Sequence, residues 1–454
     1  MSKKNKQTFL GGTVILAVAV AVVKVIGALY KIPLGNILGR EGMTYFNTAY
    51  NIYSVLLAIS TAGLPLAVSK LVSQARALGR YNQSRKILRM AMWLFVILGA
   101  LGTALMYFGA APLASLMNNS LAYWPIRALS VSVVCVCVMS AFRGYTQGQG
   151  NMMPSAISQV IEALFKLVVG LLLAWYVVDA GMGLEMGAAG AIMGVTIGSV
   201  IALLYMLANH LRHWRDDPAG EDTPNSGRTI IKRLLMIGIP ITIGSSGMSI
   251  INTLDQSIAL GRLQDVLQIS EEAAATLYGE YSFGMTLFNF PSSFIPPITM
   301  SLIPAVSAAV ARRDHRTANK VVSASFRLIA LLALPAGIGL SVMAGPILRM
   351  LYPAQPEAAV AATYHLQLLG IASIFVCLML LTNGILQAHD LAKIPVLTMF
   401  LGGLVKLAMN YVLIGNPDIN IKGAPIGTLT CYALISAINL AVVYRVAEEK
   451  PRYL

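Results

Sequence analysis

Runs of about twenty apolar residues recur along the chain, near residues 10–30, 45–69, 88–111, 124–142, 156–178, 187–209, 234–258, 282–311, 325–348, 362–388, 394–416 and 423–444. Each is free or nearly free of charge and long enough to cross the hydrocarbon core of a bilayer as a helix. The pattern therefore predicts an all-α integral membrane protein with about twelve transmembrane helices. The first run continues into Leu29-Tyr30-Lys31-Ile32-Pro33 with no cleavage site after a short apolar core, and reads as a retained helix. Pro291, Pro296, Pro297 and Pro304 interrupt the eighth run, and Pro65 follows Gly63 in the second. Breaks of this kind line cavities or act as hinges.

Between the runs, the basic residues set an orientation. With Lys3, Lys4 and Lys6 on the cytoplasmic side, 24 of the 33 Lys and Arg fall on inside segments and adjoining span ends. Six fall outside, and Lys24, Lys166 and Lys406 lie within spans. This positive-inside bias places both termini and the polar linker Arg212 to Arg233 in the cytoplasm, with the cytoplasmic membrane as the location. The linker carries Asp216, Asp217, Pro218, Gly220, Glu221 and Asp222. Topology and anionic headgroups account for the net charge of +14, so nucleic acid is not an expected partner.

Composition agrees. Only 11% of residues are charged against 57% apolar, with a mean hydropathy of +0.71, whereas a soluble domain needs about 25% charged. Cys135, Cys137, Cys377 and Cys431 all sit in spans and read as small apolar packing residues, with neither a disulfide nor a metal site expected. His365, inside a span without a ligand-spaced partner, reads the same way.

The chain also repeats. Lys86 to Met117 aligns without a gap on Lys320 to Leu351, a shift of 234, ending in Ala111-Pro112-Leu113-Ala114 and Gly345-Pro346-Ile347-Leu348. Arg143 to Gln147 matches Asn383 to Gln387, and Phe165-Lys166-Leu167 matches Val405-Lys406-Leu407, both shifted by 240. Leu38-Gly39-Arg40 echoes Leu260-Gly261-Arg262. Six spans per half is an even number, so the halves share one orientation and predict two pseudo-symmetric six-helix bundles, residues 1–228 and 229–454.

Several segments resemble a known family. They are Tyr30-Lys-Ile-Pro-Leu-Gly-Asn-Ile-Leu-Gly-Arg-Glu-Gly42, Ala49-Tyr-Asn-Ile-Tyr-Ser54, Ser60-Thr-Ala-Gly-Leu-Pro-Leu-Ala-Val-Ser-Lys-Leu71, and Phe142-Arg-Gly-Tyr-Thr-Gln-Gly148 continuing into Pro154-Ser-Ala-Ile-Ser-Gln-Val-Ile-Glu162. Together they resemble the SpoVB-like polysaccharide-biosynthesis proteins, in the superfamily of multidrug and oligosaccharidyl-lipid exporters that also holds the MurJ lipid II flippases. The match is dense over residues 10–175 and thinner in the second half. Flippases of this branch usually have fourteen helices, whereas the pattern here offers twelve, the number of the drug-exporting branch. The resemblance implies a monomeric, cofactor-free transporter that moves a polyprenyl-diphosphate-linked sugar by alternating access.

Polar groups at mid-membrane are the candidate machinery, because an ionisable side chain there costs about 2.5–3.5 kcal/mol and normally faces a bundle interior or water. Lys24, Lys166 and Lys406 are candidates to bind an anion such as a pyrophosphate, the last two at repeat-equivalent positions. Glu162 lies four residues before Lys166, so the two can instead neutralise each other within one helix. Lys24 can snorkel with Lys31 toward the headgroups. Ser245, Ser249, Asn252 and Gln256 form a polar stripe beside Asp255, serving a cavity or helix–helix hydrogen bonds. Asn47, Tyr50, Asn51 and Ser54 suggest a second polar wall, opposite Ser282 and Asn289. Arg143 can bind a phosphate, cap helix carbonyls or sit among headgroups. Asp255, Glu162 and Glu280 are candidates for a coupling proton or cation, with Glu280 also readable as a solvated end charge. A drug exporter coupled to protons or sodium is the alternative, but would want a cavity dominated by carboxylates. A membrane-embedded sugar polymerase or ligase is a further one, although no loop is long enough for a domain of its own. Enzymatic activity is not expected.

Overall fold

The computed structural model describes residues 9–61, 63–214, 220–312, 314–389 and 391–446. Among these every regular element is a helix, without strands. That follows from the solvent: in lipid every N–H and C=O needs a partner from its own segment or a closed barrel. The first half contains α1 (Phe9–Thr61), α2 (Gly63–Ala77), α3 (Tyr81–Phe108), α4 (Ala110–Leu116), α5 (Tyr123–Gly148), α6 (Met153–Asp179) and α7 (Leu184–Trp214). The second contains α8 (Gly227–Gly261), α9 (Glu271–Ser292), α10 (Ile295–Ala311), α11 (His315–Val342), α12 (Ala344–Leu351), α13 (Pro356–Ala388), α14 (Lys393–Ile414) and α15 (Gly423–Val446). The internal repeat is visible in this order. Helices α3 and α11 are both 28 residues long and begin 234 positions apart, and each is followed by a short helix, α4 or α12.

Nine helical stretches among the described residues are long and apolar enough to cross a membrane. One of them, Val18–Ala77, merges the first two expected spans. The expected seventh span falls in α8. The eighth is not one helix but two, α9 and α10, separated at Ser293 and Phe294. Prolines at 291, 296 and 297 explain the break, since each removes a backbone donor and crowds the preceding turn. Within α1, likewise, two helical stretches meet at a kink at Gly39. Gly39 there has φ 64° and ψ −165°, a conformation open essentially to glycine alone.

The chain divides into two compact units. The first is Met1–Gly27, Tyr45–Leu116 and Ser120–Thr253, and the second is Ala28–Thr44, Met117–Asn119 and Leu254–Leu454. In the first, α6 and α7 approach so closely that a Cβ on Gly194 would collide with the backbone of Gly170, the small-residue contact that draws membrane helices together by dispersion rather than by water exclusion. In the second, Leu260, Leu263, Phe288, Leu369 and Ile435 form one buried cluster, and Ile295, Leu302, Val306, Leu381 and Ile385 another.

The linker enters the first unit as a helix cap. Its residues Asp216, Asp217 and Pro218 lie outside the described ones, as do Lys3, Lys4 and Lys6. Asp222 is described, and its two carboxylate oxygens accept from the backbone N–H groups of Asn82 at 2.8 Å and Gln83 at 2.9 Å. These are the second and third residues of α3, whose own cap position, Arg80, supplies no side-chain cap. Asn225 N donates to Gln83 Oε1 at 2.6 Å and Asn82 Nδ2 donates to the carbonyl of Gly220 at 2.7 Å, closing the clasp. Desolvation alone would raise the Asp222 pKa, but these two donors and the Arg80 charge outweigh it and hold the group below the ordinary carboxylate value. A depressed folded pKa stabilises the clasp above the unfolded value, about 3.9, and the stability is lost as pH falls through the folded pKa. Near neutral pH, Asp222→Asn should therefore speed hydrogen exchange at the Asn82 and Gln83 amides several-fold. The gap from wild type should close in acid; equal rates at neutral pH would show that the cap contributes nothing.

Candidate functional site

In the first unit, α6 carries Glu162 and Lys166 one turn apart. The ammonium of Lys166 donates to the hydroxyl of Tyr50 at 3.3 Å and lies 4.4 Å from the centre of its ring. Tyr50 is itself stacked on Phe46, with ring centres 5.7 Å apart. The cation thus rests on an aromatic face that is already fixed, a favourable place for charge out of bulk water.

Glu162 reaches two other helices. Its Oε2 accepts from Arg143 Nη2 at 2.9 Å and its Oε1 from Ser199 Oγ at 3.2 Å. Arg143 Nε also donates to Ser158 Oγ at 2.8 Å. From Ser199 the chain of hydrogen bonds passes to Ser132 at 2.9 Å and on to the Tyr53 hydroxyl at 3.2 Å, linking α6, α7, α5 and α1. Glu162 thus has a partner on another helix, and the guanidinium fork of Arg143 reaches both Glu162 and Ser158. Arg143 accordingly lies in an internal ion pair instead of among headgroups.

In the second unit, Asp255 of α8 meets Lys406 of α14. The pair is 2.8 Å apart and both residues are buried. The other carboxylate oxygen accepts from Asn410 Nδ2, one turn beyond Lys406. Lys406 therefore does not present an uncompensated ammonium, contrary to expectation. Its partner lies on another helix and had no signature in local spacing. Glu280, offered as a solvated end charge, is also corrected: it is 8% exposed and accepts from Arg40 Nη1 at 2.8 Å. Arg40 reaches Glu357 as well, at 3.5 Å.

The remaining candidates scatter. Lys24 and Asn252 are exposed, whereas Gln256 is fully buried, so the expected polar stripe is not presented uniformly. The Ser245 side chain lies outside the described residues. Asn51 contributes its carbonyl to Thr253 Oγ1 at 3.1 Å and to Ser54 Oγ at 2.8 Å. Ser282 and Asn289 each bond back to their own helix, at Tyr278 and Met285. His365 is buried against the rings of Tyr281 and Tyr364, as packing requires. Sequence reading missed the partners that complete the sites, Ser158, Ser199 and Asn410. Each is a common helix residue, and only the fold brings it to a charge.

A family model described as polysaccharide biosynthesis protein matches residues 9–310, more than half of the chain. The chain belongs to the polysaccharide biosynthesis protein family. A second model, described as MatE, matches residues 275–412 of this family member. Stage V sporulation protein B of Bacillus subtilis (strain 168) is 26% identical over 97% of the chain and 84% of its own length. Lipid II flippase MurJ of the same organism is 27% identical over 89% of the chain and 77% of its own length. Among solved structures, an inward-facing multidrug resistance MATE family transporter of the MOP superfamily superposes with a TM-score of 0.74 at 14% identity, covering 95% of this chain and 98% of the other. At that identity the likeness shows a shared fold. The polysaccharide biosynthesis protein described here is thus a multi-pass membrane protein with the fold of the MATE transporters.

Proposed function

We propose that this protein is a transporter that flips a polyprenyl-diphosphate-linked oligosaccharide or peptidoglycan precursor to the outer leaflet by alternating access. The observation that carries the reading is the fate of the two mid-span carboxylates. Glu162 is neutralised by Arg143 and Asp255 by Lys406, so neither carboxylate is left to hold a cation. A cationic drug must compete with those tethered charges, which an anionic diphosphate does not. The name of one relative, a lipid II flippase, favours the same cargo class. Coupling to a proton or cation would have to displace a lysine or arginine, since Glu280 too is held, by Arg40. On the positive-inside bias we also place both termini and the linker in the cytoplasm; labelling of a cysteine at Ser226 by an impermeant reagent added to intact cells would reverse this.

The MATE fold favours a second reading, export of cationic drugs, and one assay separates the two. Proteoliposomes would be loaded in parallel with a fluorescent polyprenyl-diphosphate sugar and a cationic dye. The sugar lipid should cross and the dye should not. At matched insertion, Lys166→Gln should slow flipping at least about tenfold, the effect of losing roughly 1.4 kcal/mol of binding, and Lys166→Arg should do less harm. Transport of the dye alone, or full flipping by Lys166→Gln and Lys24→Gln, would overturn the proposal.

A further inference from the structure

A pocket of about 430 Å³ opens on the first unit between α3, α5 and α7, within the usual range for a ligand site. One face of α3 supplies most of its wall. Arg85, Leu88, Arg89, Met92, Trp93 and Val96 line it, spaced three and four residues apart so that they form a single stripe. The two arginines lie at the end of α3 nearest the linker clasp, and the apolar members run inward from them. Phe142 of α5 and His210 of α7 form the opposite wall. The imidazole is steadied there by the rings of Phe142 at 5.2 Å and Tyr145 at 5.8 Å.

The opening follows from where the helices touch. A Cβ on Gly99 of α3 would lie 2.8 Å from the Cα of Val134, and one on Gly102 would lie 2.8 Å from Val133 Cγ1. Helices α3 and α5 are therefore in near-backbone contact at that level. Toward its other end α5 makes its close contacts with α2 instead, where Cβ atoms on Gly144 and Gly148 would meet the carbonyls of Pro65 and Ser69 at 2.6 and 2.7 Å. The groove lies on the α3 side of that end. It is not filled by the protein: Trp93 is 62% exposed.

We infer that this groove binds an anionic phospholipid of the surrounding leaflet. Arg89 and Arg85 would take the phosphate, and one acyl chain would lie along Leu88, Met92, Trp93 and Val96. Charge complementarity selects the occupant. Guanidinium groups bind phosphate oxygens in bidentate fashion, and basic pockets on membrane helices select anionic headgroups. The apolar length beyond the arginines calls for a hydrocarbon tail, which a free phosphate lacks. A tryptophan just below the basic residues suits the interfacial depth. The site uses neither Lys166 nor either internal ion pair, and stands apart from the cargo reading.

Trp93 reports its own occupancy. In a variant with Trp124, Trp175 and Trp214 changed to Phe, the protein would be reconstituted into phosphatidylcholine vesicles holding a minor fraction of brominated phosphatidylglycerol or, in parallel, brominated phosphatidylcholine. Quenching of Trp93 should be stronger with the anionic lipid. Arg89→Gln should reduce that preference about fivefold, the attraction of one basic residue near a charged surface, and the double change Arg85→Lys, Arg89→Lys should keep most of it. Val96→Phe, which fills the apolar end without touching the arginines, should weaken quenching by both lipids. Equal quenching by the two lipids, a preference unmoved by Arg89→Gln, or its complete removal by added inorganic phosphate would each overturn the inference. None of these outcomes depends on the cargo or on the orientation of the chain.

Discussion

Lys406→Gln is expected to destabilise the folded protein by about 3–5 kcal/mol, the cost of leaving a buried charge without its partner. The partner is Asp255, 2.8 Å away and 3% exposed. Asn410 still donates to the second oxygen after the change, but one amide cannot replace an ammonium. Asp255→Asn should cost a similar amount by stranding Lys406. The double change Lys406→Met, Asp255→Leu removes both charges together and should recover much of the loss, since apolar replacements of a buried pair are often neutral or stabilising. Thermal unfolding in detergent measures all four proteins. A double variant no more stable than either single one would show that the pair is not the source of the effect.

The second large effect is expected at Arg143. Arg143→Gln removes the donors to Glu162 and Ser158 and should cost about 1.5–3 kcal/mol, the range for hydrogen bonds to charged groups. Arg143→Lys keeps the charge but not the fork, so it should fall between. The decisive comparison is a cycle with Glu162→Gln. In that background the Arg143→Gln penalty should shrink by more than about 1 kcal/mol, as coupled neighbours do. An unchanged penalty would mean that the 2.9 Å contact contributes nothing to stability.

Together the two cycles bear on cargo as well as on folding. If both pairs hold as tightly as expected, the carboxylates at mid-membrane are committed to the protein's own cations. A cationic substrate would then have to compete with a covalently tethered guanidinium or ammonium. An anionic one faces no such competition.

The amino-acid sequence by itself determined that the chain is a helical membrane protein built on a duplicated half. Length and apolarity of a run suffice to place a helix in lipid, because the bilayer leaves the backbone no other open choice. The 234-residue shift read from Lys86 and Lys320 reappears as the spacing of α3 and α11. Prolines 291, 296 and 297 likewise announced the break between α9 and α10, since a missing N–H acts on its own helix. Pairing of charges was another matter. Glu162 of α6 bonds to Arg143 of α5, and Lys406, without an acidic neighbour on its helix, finds Asp255 on α8. Gly39 could be read only as one member of a motif, and the bend it allows became visible in its φ of 64°. Ion pairs depend on which helix faces meet, and those faces are set by close contacts between helices, such as Gly194 on Gly170. Local spacing carries no record of such contacts, so which cations are neutralised was decided by the tertiary structure alone.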